Sequence, residues 1–88
     1  MNERWYVYIL ECRTKELYVG VAQDVKKRVM LHNQGRACRY TKFRHPVTLI
    51  YSEVSNNYAE ARRRERQIKK FSRVKKLALR QQIKDLSP

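Results

Sequence analysis

The sequence is poor in the residues that usually divide a chain into parts. Its 88 residues include only two glycines and two prolines, and it has no repeat, no linker and no low-complexity segment. A chain of this length can bury one modest core. We therefore expect a single domain over residues 1–88, with a core at about residues 4–71 and a C-terminal helix at about residues 72–85.

Cysteine and long apolar runs are equally scarce. Cys12 and Cys38 form no C-x-x-C pair, so we expect free thiols in a reducing cytoplasm. A zinc site built from these cysteines with His32 and His45 is an alternative, although no recognisable ligand spacing supports it. No apolar run approaches the roughly 20 residues of a membrane span, and the N-terminal residues do not follow the pattern of a secretory signal.

Acidic residues are few compared with basic ones. Lys and Arg total 21 and Asp and Glu total 8, which gives a formal net charge of +13. Such an excess predicts a polyanionic partner, and nucleic acid is the first candidate, DNA before RNA. An anionic membrane is disfavoured because no helix has an aromatic-rich apolar face opposite its basic one. Residues 62–80 contain ten basic residues and a single acid, Glu65.

Hydrophobic patterning predicts the element order β-β-α-β-α-α, an α/β (α+β) fold. Aromatic and β-branched residues favour strands at residues 5–10, 17–22 and 47–54. We expect Asp24 to be the N-cap of the first helix, which ends at about Asn33. Gly35 follows at the position where a residue in the left-handed conformation commonly ends a helix. A second helix spans residues 58–71 after the cap residue Asn57. A third begins after Ser72, and its expected buried residues are Val74, Leu77, Ala78 and Ile83.

The second helix places a carboxylate where an apolar residue is expected. Its apolar stripe is Tyr58, Ala61 and Ile68. At about 100° per residue Glu65 falls in the same arc and faces the body of the protein. An inward carboxylate needs a cation, and this is either a neighbouring Arg62 or Lys69 or a metal ion bound for chemistry.

Other polar residues lie beside apolar positions. Tyr6 and Tyr8 share a face of the first strand, Tyr18 precedes Gly20 in the second, and Arg28 and His32 are one turn apart on the first helix. With Glu65 they form a set suited to phosphodiester hydrolysis. That reaction needs a proton acceptor, stabilisation of charge on phosphorus and a hard divalent cation. The structural alternative is packing for the tyrosines and a solvated helix edge for the other two residues.

A basic loop at residues 36–45 alternates aromatic and charged residues, a pattern that suits phosphate contact with base stacking. The alternative is a surface loop held in place by Tyr40 and Phe43. The expected nucleic-acid contacts are Lys26, Lys27, Arg36, Arg39, Tyr40, Lys42, Arg44 and Lys69.

Two tripeptides and three single residues then match a known pattern in order and spacing. They are Tyr6-Val7-Tyr8, Tyr18-Val19-Gly20, Arg28, His32 and Glu65, the last within Ala61-x-x-x-Glu65-x-x-Ile68-Lys69. Over residues 4–71 the chain resembles the GIY-YIG nuclease family, and especially its small stand-alone bacterial members. The resemblance implies a three-stranded antiparallel sheet flanked by helices. It also implies a metal-dependent endonuclease of low intrinsic sequence specificity.

The resemblance further implies roles for single residues. Glu65 would bind one Mg2+ or Mn2+ ion, and Arg28 would clamp the phosphoryl group. Tyr18 is the preferred base for the attacking water, Tyr8 would orient that water or share its proton, and His32 would orient the site or assist proton transfer.

The chain departs from the family pattern in places. Tyr6 replaces the first glycine of the motif. Val21 stands where some repair members carry a lysine that lowers the tyrosine pKa, which leaves Arg28, Lys26 or the metal to do so here. Family relatives act in DNA repair and often use a separate domain for target choice, so a partner protein is expected to supply it here. Two other functions stay open: a non-catalytic nucleic-acid-binding module, and a small RNA-associated or scaffold protein.

Overall fold

The computed structural model describes the backbone of residues 4–86 and the side chains of residues 4–80. Its elements are β1 (Trp5–Cys12), β2 (Leu17–Ala22), α1 (Val25–Asn33), α2 (Arg39–Lys42), β3 (Val47–Ser55), α3 (Tyr58–Lys69) and α4 (Arg73–Leu86). The three strands form one antiparallel sheet in the order β2-β1-β3. The predicted fold class, a three-stranded antiparallel sheet flanked by helices, is confirmed. Within residues 4–86 no helix is long and apolar enough to cross a membrane.

The central strand β1 supplies both faces of the sheet, because alternate side chains point to opposite sides. Val7 and Ile9 face α3 and α4, where they pack in a core with Ala61, Ile68 and other apolar residues. The even-numbered residues Tyr8, Leu10 and Cys12 face α1, where Val25 and Val29 pack against them. Glu65, on α3, and the Tyr8 side chain therefore belong to opposite faces of the sheet.

Side-chain caps fix where the helices begin. Asp24 accepts a hydrogen bond from the backbone N–H of Lys27 at 3.0 Å, and Asn57 accepts one from Glu60 at 2.9 Å. The Ser72 hydroxyl likewise accepts from the N–H of Lys75 at 3.1 Å. Gly35 adopts φ +73° after α1, as the sequence predicts, because glycine has no Cβ to clash in the left-handed region.

Three expectations about the helices need correction. The loop at residues 36–45 contains the short helix α2. Tyr58, predicted on the inward stripe, is 48% exposed; it is the first residue of α3, and its ring packs edge to face against that of Trp5. On α4, Leu79 is the buried residue, whereas Val74 and Ala78 are exposed. Because α3 already covers β1 and β2, α4 packs mainly on β3. Ile83 lies outside the described side chains.

Candidate active site

A glycine on β2 makes room for a tyrosine from β1. The register of the two strands pairs Tyr8 with Gly20. A Cβ at residue 20 would lie 2.7 Å from the Tyr8 hydroxyl, 2.8 Å from its Cζ and 3.0 Å from Cε2 of Tyr18. Because real Cβ atoms do not approach other atoms so closely, the Tyr8 ring can lie across β2 only if residue 20 has no side chain.

The Tyr8 hydroxyl belongs to a buried chain of hydrogen bonds. Its oxygen lies 2.9 Å from Nε2 of His32, and Nδ1 of the same imidazole lies 2.6 Å from the hydroxyl of Thr41. Tyr8, His32 and Thr41 are each at most 1% exposed. This chain of buried polar groups thus joins β1, α1 and α2.

The neighbouring groups indicate which atom donates in each of these hydrogen bonds. Burial raises the pKa of Tyr8 to about 12, although Arg28 beside its hydroxyl opposes the rise. Since the guanidinium can only donate, we assign the Tyr8 proton to Nε2 of His32. Burial and then the charge of Arg28 lower the pKa of His32 to about 4. The ring is therefore neutral near pH 7, and its single N–H, on Nδ1, donates to Thr41.

Acid is expected to destabilise the fold through His32. The pKa of an unfolded histidine is near 6.5, whereas that of His32 is about 4 in the folded protein. The unfolded chain therefore binds more protons between these values, and stability falls as the pH drops from about 6.5 to about 4. The shift corresponds to a loss of up to about 3 kcal/mol.

Urea unfolding at pH 7, 5.5 and 4 measures this loss. A His32→Gln variant, which cannot titrate, should lose less of its stability over the same range. Equal losses in both proteins would assign the effect to other groups.

Tyr18 lies at the centre of an aromatic group that includes both Tyr8 and His32. Its ring centroid is 6.3 Å from that of Tyr8 and 5.1 Å from that of His32, and the Tyr40 ring stacks on it at 5.9 Å. Burial, followed by a hydrogen bond with the Cys38 thiol, raises the pKa of Tyr18 above its ordinary value near 10. Tyr18 is thus a neutral phenol at pH 7.

Glu65 faces inward from α3, as its angular position predicts. Its side chain is 6% exposed, and two cations from the same helix approach it. Nε of Arg62 lies 3.3 Å from Oε1, and Nζ of Lys69 lies 3.1 Å from Oε2. Oε1 nevertheless has no hydrogen-bond partner, because the contact with Arg62 lacks hydrogen-bond geometry. One buried carboxylate oxygen is therefore only partly satisfied.

These residues meet in one cleft of about 290 Å3. It is lined by Trp5, Tyr8, Tyr18, Gly20, Val21, Arg28, Tyr58, Arg62 and Glu65. The lining comes from both faces of the sheet, so the cleft must pass around a sheet edge, and β2 is the edge strand that contributes to it. Four of the five predicted catalytic residues line the cleft, and the fifth, His32, reaches it through Tyr8.

The comparisons with known proteins agree with this geometry. The family model for the GIY-YIG catalytic domain matches residues 4–78. The chain belongs to the GIY-YIG family. A UPF0213 protein of Staphylococcus saprophyticus is 47% identical over 77 residues, which cover 88% of this chain and 94% of that protein. A UPF0213 protein of Staphylococcus haemolyticus is 46% identical over 74 residues, which cover 84% and 90%.

A solved structure also resembles this GIY-YIG chain. The solution NMR structure of a UPF0213 protein from Bacillus halodurans has a TM-score of 0.52 and 36% sequence identity. The similarity covers 96% of this chain and 85% of that one. The predicted family, and the likeness to small stand-alone members, are thus confirmed. GIY-YIG is a nuclease family, so the family assignment agrees with the set of residues in the cleft.

The GIY-YIG cleft fits a hard divalent cation. Oε1 of Glu65 is a buried acceptor without a hydrogen bond, and such an oxygen gains most from a cation. Among the described residues no three His, Cys, Asp or Glu side chains come together. The zinc alternative with Cys12, Cys38, His32 and His45 therefore has no geometric basis. A single carboxylate suits Mg2+ or Mn2+, which keep several water ligands.

The predicted nucleic-acid contacts lie on several elements of the fold. Lys26 and Lys27 are exposed on α1. Arg36, Arg39 and Lys42 are exposed and line a pocket of about 280 Å3 beside Cys38.

The remaining predicted contacts are engaged with protein groups. The Arg44 guanidinium lies over the Tyr40 ring at 4.2 Å, and it also pairs with Glu16 at 3.8 Å. Tyr40 stacks on Tyr18, and Lys69 pairs with Glu65. Tyr40, Arg44 and Lys69 therefore each have a structural role as well.

Several residues of the site escape prediction from the sequence. Trp5 and Tyr58 line the cleft without any signal of a functional role. Thr41 lies in the basic loop, outside any periodic pattern, and only folding places its hydroxyl on His32. The sequence predicts Arg62 as a partner of Glu65 but not as a residue of the cleft. The i,i+3 spacing to Glu65 was the available signal for Arg62, whereas Thr41 has none.

Proposed function

We propose that the protein is a divalent-metal-dependent endonuclease that hydrolyses phosphodiester bonds in nucleic acid, with DNA as the first candidate. One observation carries the proposal. The buried and incompletely satisfied carboxylate of Glu65 shares a single cleft with Tyr8, Tyr18 and Arg28. Membership of a nuclease family supports the same conclusion.

Arg28 is the residue that would hold the scissile phosphate. It lines the cleft next to Tyr8, and its planar fork of donors matches two phosphate oxygens. The fixed positive charge also stabilises the extra negative charge that develops as water attacks phosphorus. The net charge of +13 holds the rest of the backbone near the cleft.

The hydrogen bonds favour Tyr8 over Tyr18 as the base for the attacking water. With a pKa of about 12, Tyr8 is a protonated phenol at pH 7, so it can take a proton only by passing its own on. His32 Nε2 lies 2.9 Å away and is the acceptor in our assignment. As the hydroxyl of Tyr8 receives the water proton, its original proton moves to Nε2. Thr41 holds the ring in the required tautomer.

A divalent cation bound at Glu65 would supply positive charge to the phosphoryl group and to the leaving oxygen. The two residues that pair with Glu65 would give way to this ion. Arg62 and Lys69 are both about half exposed, so water can solvate their side chains when the divalent ion binds the carboxylate. Tyr18, packed against Tyr8 and His32, keeps both rings in place.

The expected contacts are to phosphates, which carry no sequence information, so we propose low intrinsic sequence specificity. A partner protein would then supply the target choice. The proposed location is the cytoplasm, since Cys12 and Cys38 are both free thiols.

One observation favours a second candidate, a non-catalytic nucleic-acid-binding module. Arg62 and Lys69 already neutralise Glu65, which is what a purely structural carboxylate requires. Incubation with supercoiled plasmid in Mg2+, in Mn2+ and in EDTA separates the two functions. Nicking that needs the metal supports the nuclease, and binding without nicking in any condition supports the module.

Removing single hydroxyl groups tests the proton path. Tyr8→Phe is expected to slow cleavage at least about 100-fold, because it removes the proposed base. Tyr18→Phe keeps the packing and should slow it no more than about 10-fold. Single-turnover rates with saturating protein measure both effects, and melting temperatures show whether each variant folds. A larger loss of cleavage rate in Tyr18→Phe than in Tyr8→Phe would assign the role of base to Tyr18.

A further inference from the structure

A second groove continues from the cleft along α3. It has a volume of about 450 Å3 and is lined by Tyr58, Ala59, Arg62, Arg63 and Arg66. Tyr58 and Arg62 line the cleft as well, so the two spaces are adjoining. We call this space the α3 groove. None of the described residues that line it is acidic.

The arginines of α3 differ in their partners. Arg62 pairs with Glu65, and Arg64 donates to Glu53 at 2.9 Å. Arg63 and Arg66 are exposed, and no carboxylate among the described side chains lies within ion-pairing distance of either. The two arginines without an acidic partner are those that line only the α3 groove.

This arrangement disfavours the isolated helix. Arg66 is three residues from Arg63 and four from Arg62, so the three guanidinium groups are neighbours on one helical face. Like charges at these spacings destabilise a helix. An ordinary solvated face mixes the two signs, whereas on this face a bound anion would relieve the repulsion.

We propose that the α3 groove binds the phosphate backbone of the nucleic acid on the Glu65 side of the scissile bond. This inference rests on the nucleic-acid binding in the proposed function, and it adds the path that the backbone takes. Tyr40 of the basic loop stacks on Tyr18, so the loop lies on the other side of the cleft. The backbone would then cross from the loop, over Arg28 and Glu65, to Arg63 and Arg66.

The test replaces Arg63 and Arg66 with glutamine, singly and together. Binding to a fluorescein-labelled 20-base-pair duplex is measured by anisotropy in EDTA, from 50 to 300 mM salt. Each single substitution should raise the Kd about 5- to 10-fold at 0.1 M salt and reduce the salt slope by about 0.9. The double substitution should combine both effects. The melting temperature should equal or exceed that of the wild type, because repulsion on α3 is relieved.

Lys15→Gln is the matched control, since it removes the same charge from a residue that lines neither the cleft nor the α3 groove. Lys15 lies in the turn between β1 and β2. The control should change the Kd less than about 2-fold. Equal weakening by Lys15→Gln, a fall in melting temperature in the arginine variants, or no affinity in the wild type would each overturn the proposal.

The design separates this inference from the nuclease itself. Binding is measured without divalent metal, so no cleavage is needed. If the wild type fails to cut in Mg2+ while the arginine variants lose affinity as expected, the α3 groove stands and the proposed hydrolysis does not.

Discussion

Glu65→Gln is expected to reduce metal-dependent cleavage at least about 1,000-fold, because the cleft loses the only carboxylate among the described residues that line it, and with it the proposed ligand of the divalent cation. The amide has nearly the same size, and Arg62 and Lys69 are exposed enough to be solvated, so the fold should persist. Nucleic-acid affinity in EDTA should stay equal or increase, since a negative charge has left the cleft. Single-turnover cleavage and anisotropy measure the two effects.

Glu60→Gln is the control for this result. Glu60 is the other carboxylate of α3, in its first turn, and it does not line the cleft. The Glu60→Gln substitution makes the same change in net charge and should leave the cleavage rate within about 2-fold of the wild-type rate. If Glu65→Gln cuts as fast as the wild type, Glu65 serves only to pair with Arg62 and Lys69, and the metal site is wrong.

Gly20→Ala is expected to reduce cleavage at least about 100-fold and to destabilise the fold by about 1–3 kcal/mol. The new Cβ would lie 2.7 Å from the Tyr8 hydroxyl, so the ring must move away from β2. That shift disrupts the 2.9 Å contact with His32, on which the proposed proton path depends. Urea unfolding and single-turnover cleavage at pH 7 measure the change.

Gly35→Ala provides the contrast. Residue 35 has φ +73°, but a Cβ there would meet no atom closer than 3.7 Å. The substitution strains the backbone, at a cost of about 1 kcal/mol, and leaves Tyr8 and His32 in place. Loss of stability without loss of activity is expected. If both glycine variants lost activity to the same extent, general destabilisation would explain the result at Gly20.

Periodicity predicts the parts of the site that depend on one element alone. The inward position of Glu65 follows from its angle relative to Ala61 and Ile68, and the structure has all three buried. The caps at Asp24 and Asn57 likewise depend on local hydrogen bonds between neighbouring residues. Such features hold in any fold that forms the same helix, so one sequence suffices to find them.

Features that depend on contacts between elements were predicted less well. Val74 has the spacing of a buried residue but is 79% exposed, and Leu79 is buried instead. The placement of Thr41 against His32 requires α2, and this four-residue helix has no apolar stripe that would reveal it. Both results depend on contacts between elements, which the spacing within one element does not reveal.

The sequence by itself determined the order of the strands and of the three longer helices, the excess of positive charge and the identity of the residues suited to phosphodiester chemistry. These depend on composition and on spacing within single elements. Only the tertiary structure decided that Tyr8 rather than Tyr18 forms the hydrogen bond with His32, and that Glu65 meets the phenols from the other face of the sheet. The physical reason is the strand register. It places Gly20 opposite Tyr8. Because Gly20 has no side chain, the Tyr8 ring can lie across β2, at the sheet edge where side chains from both faces meet.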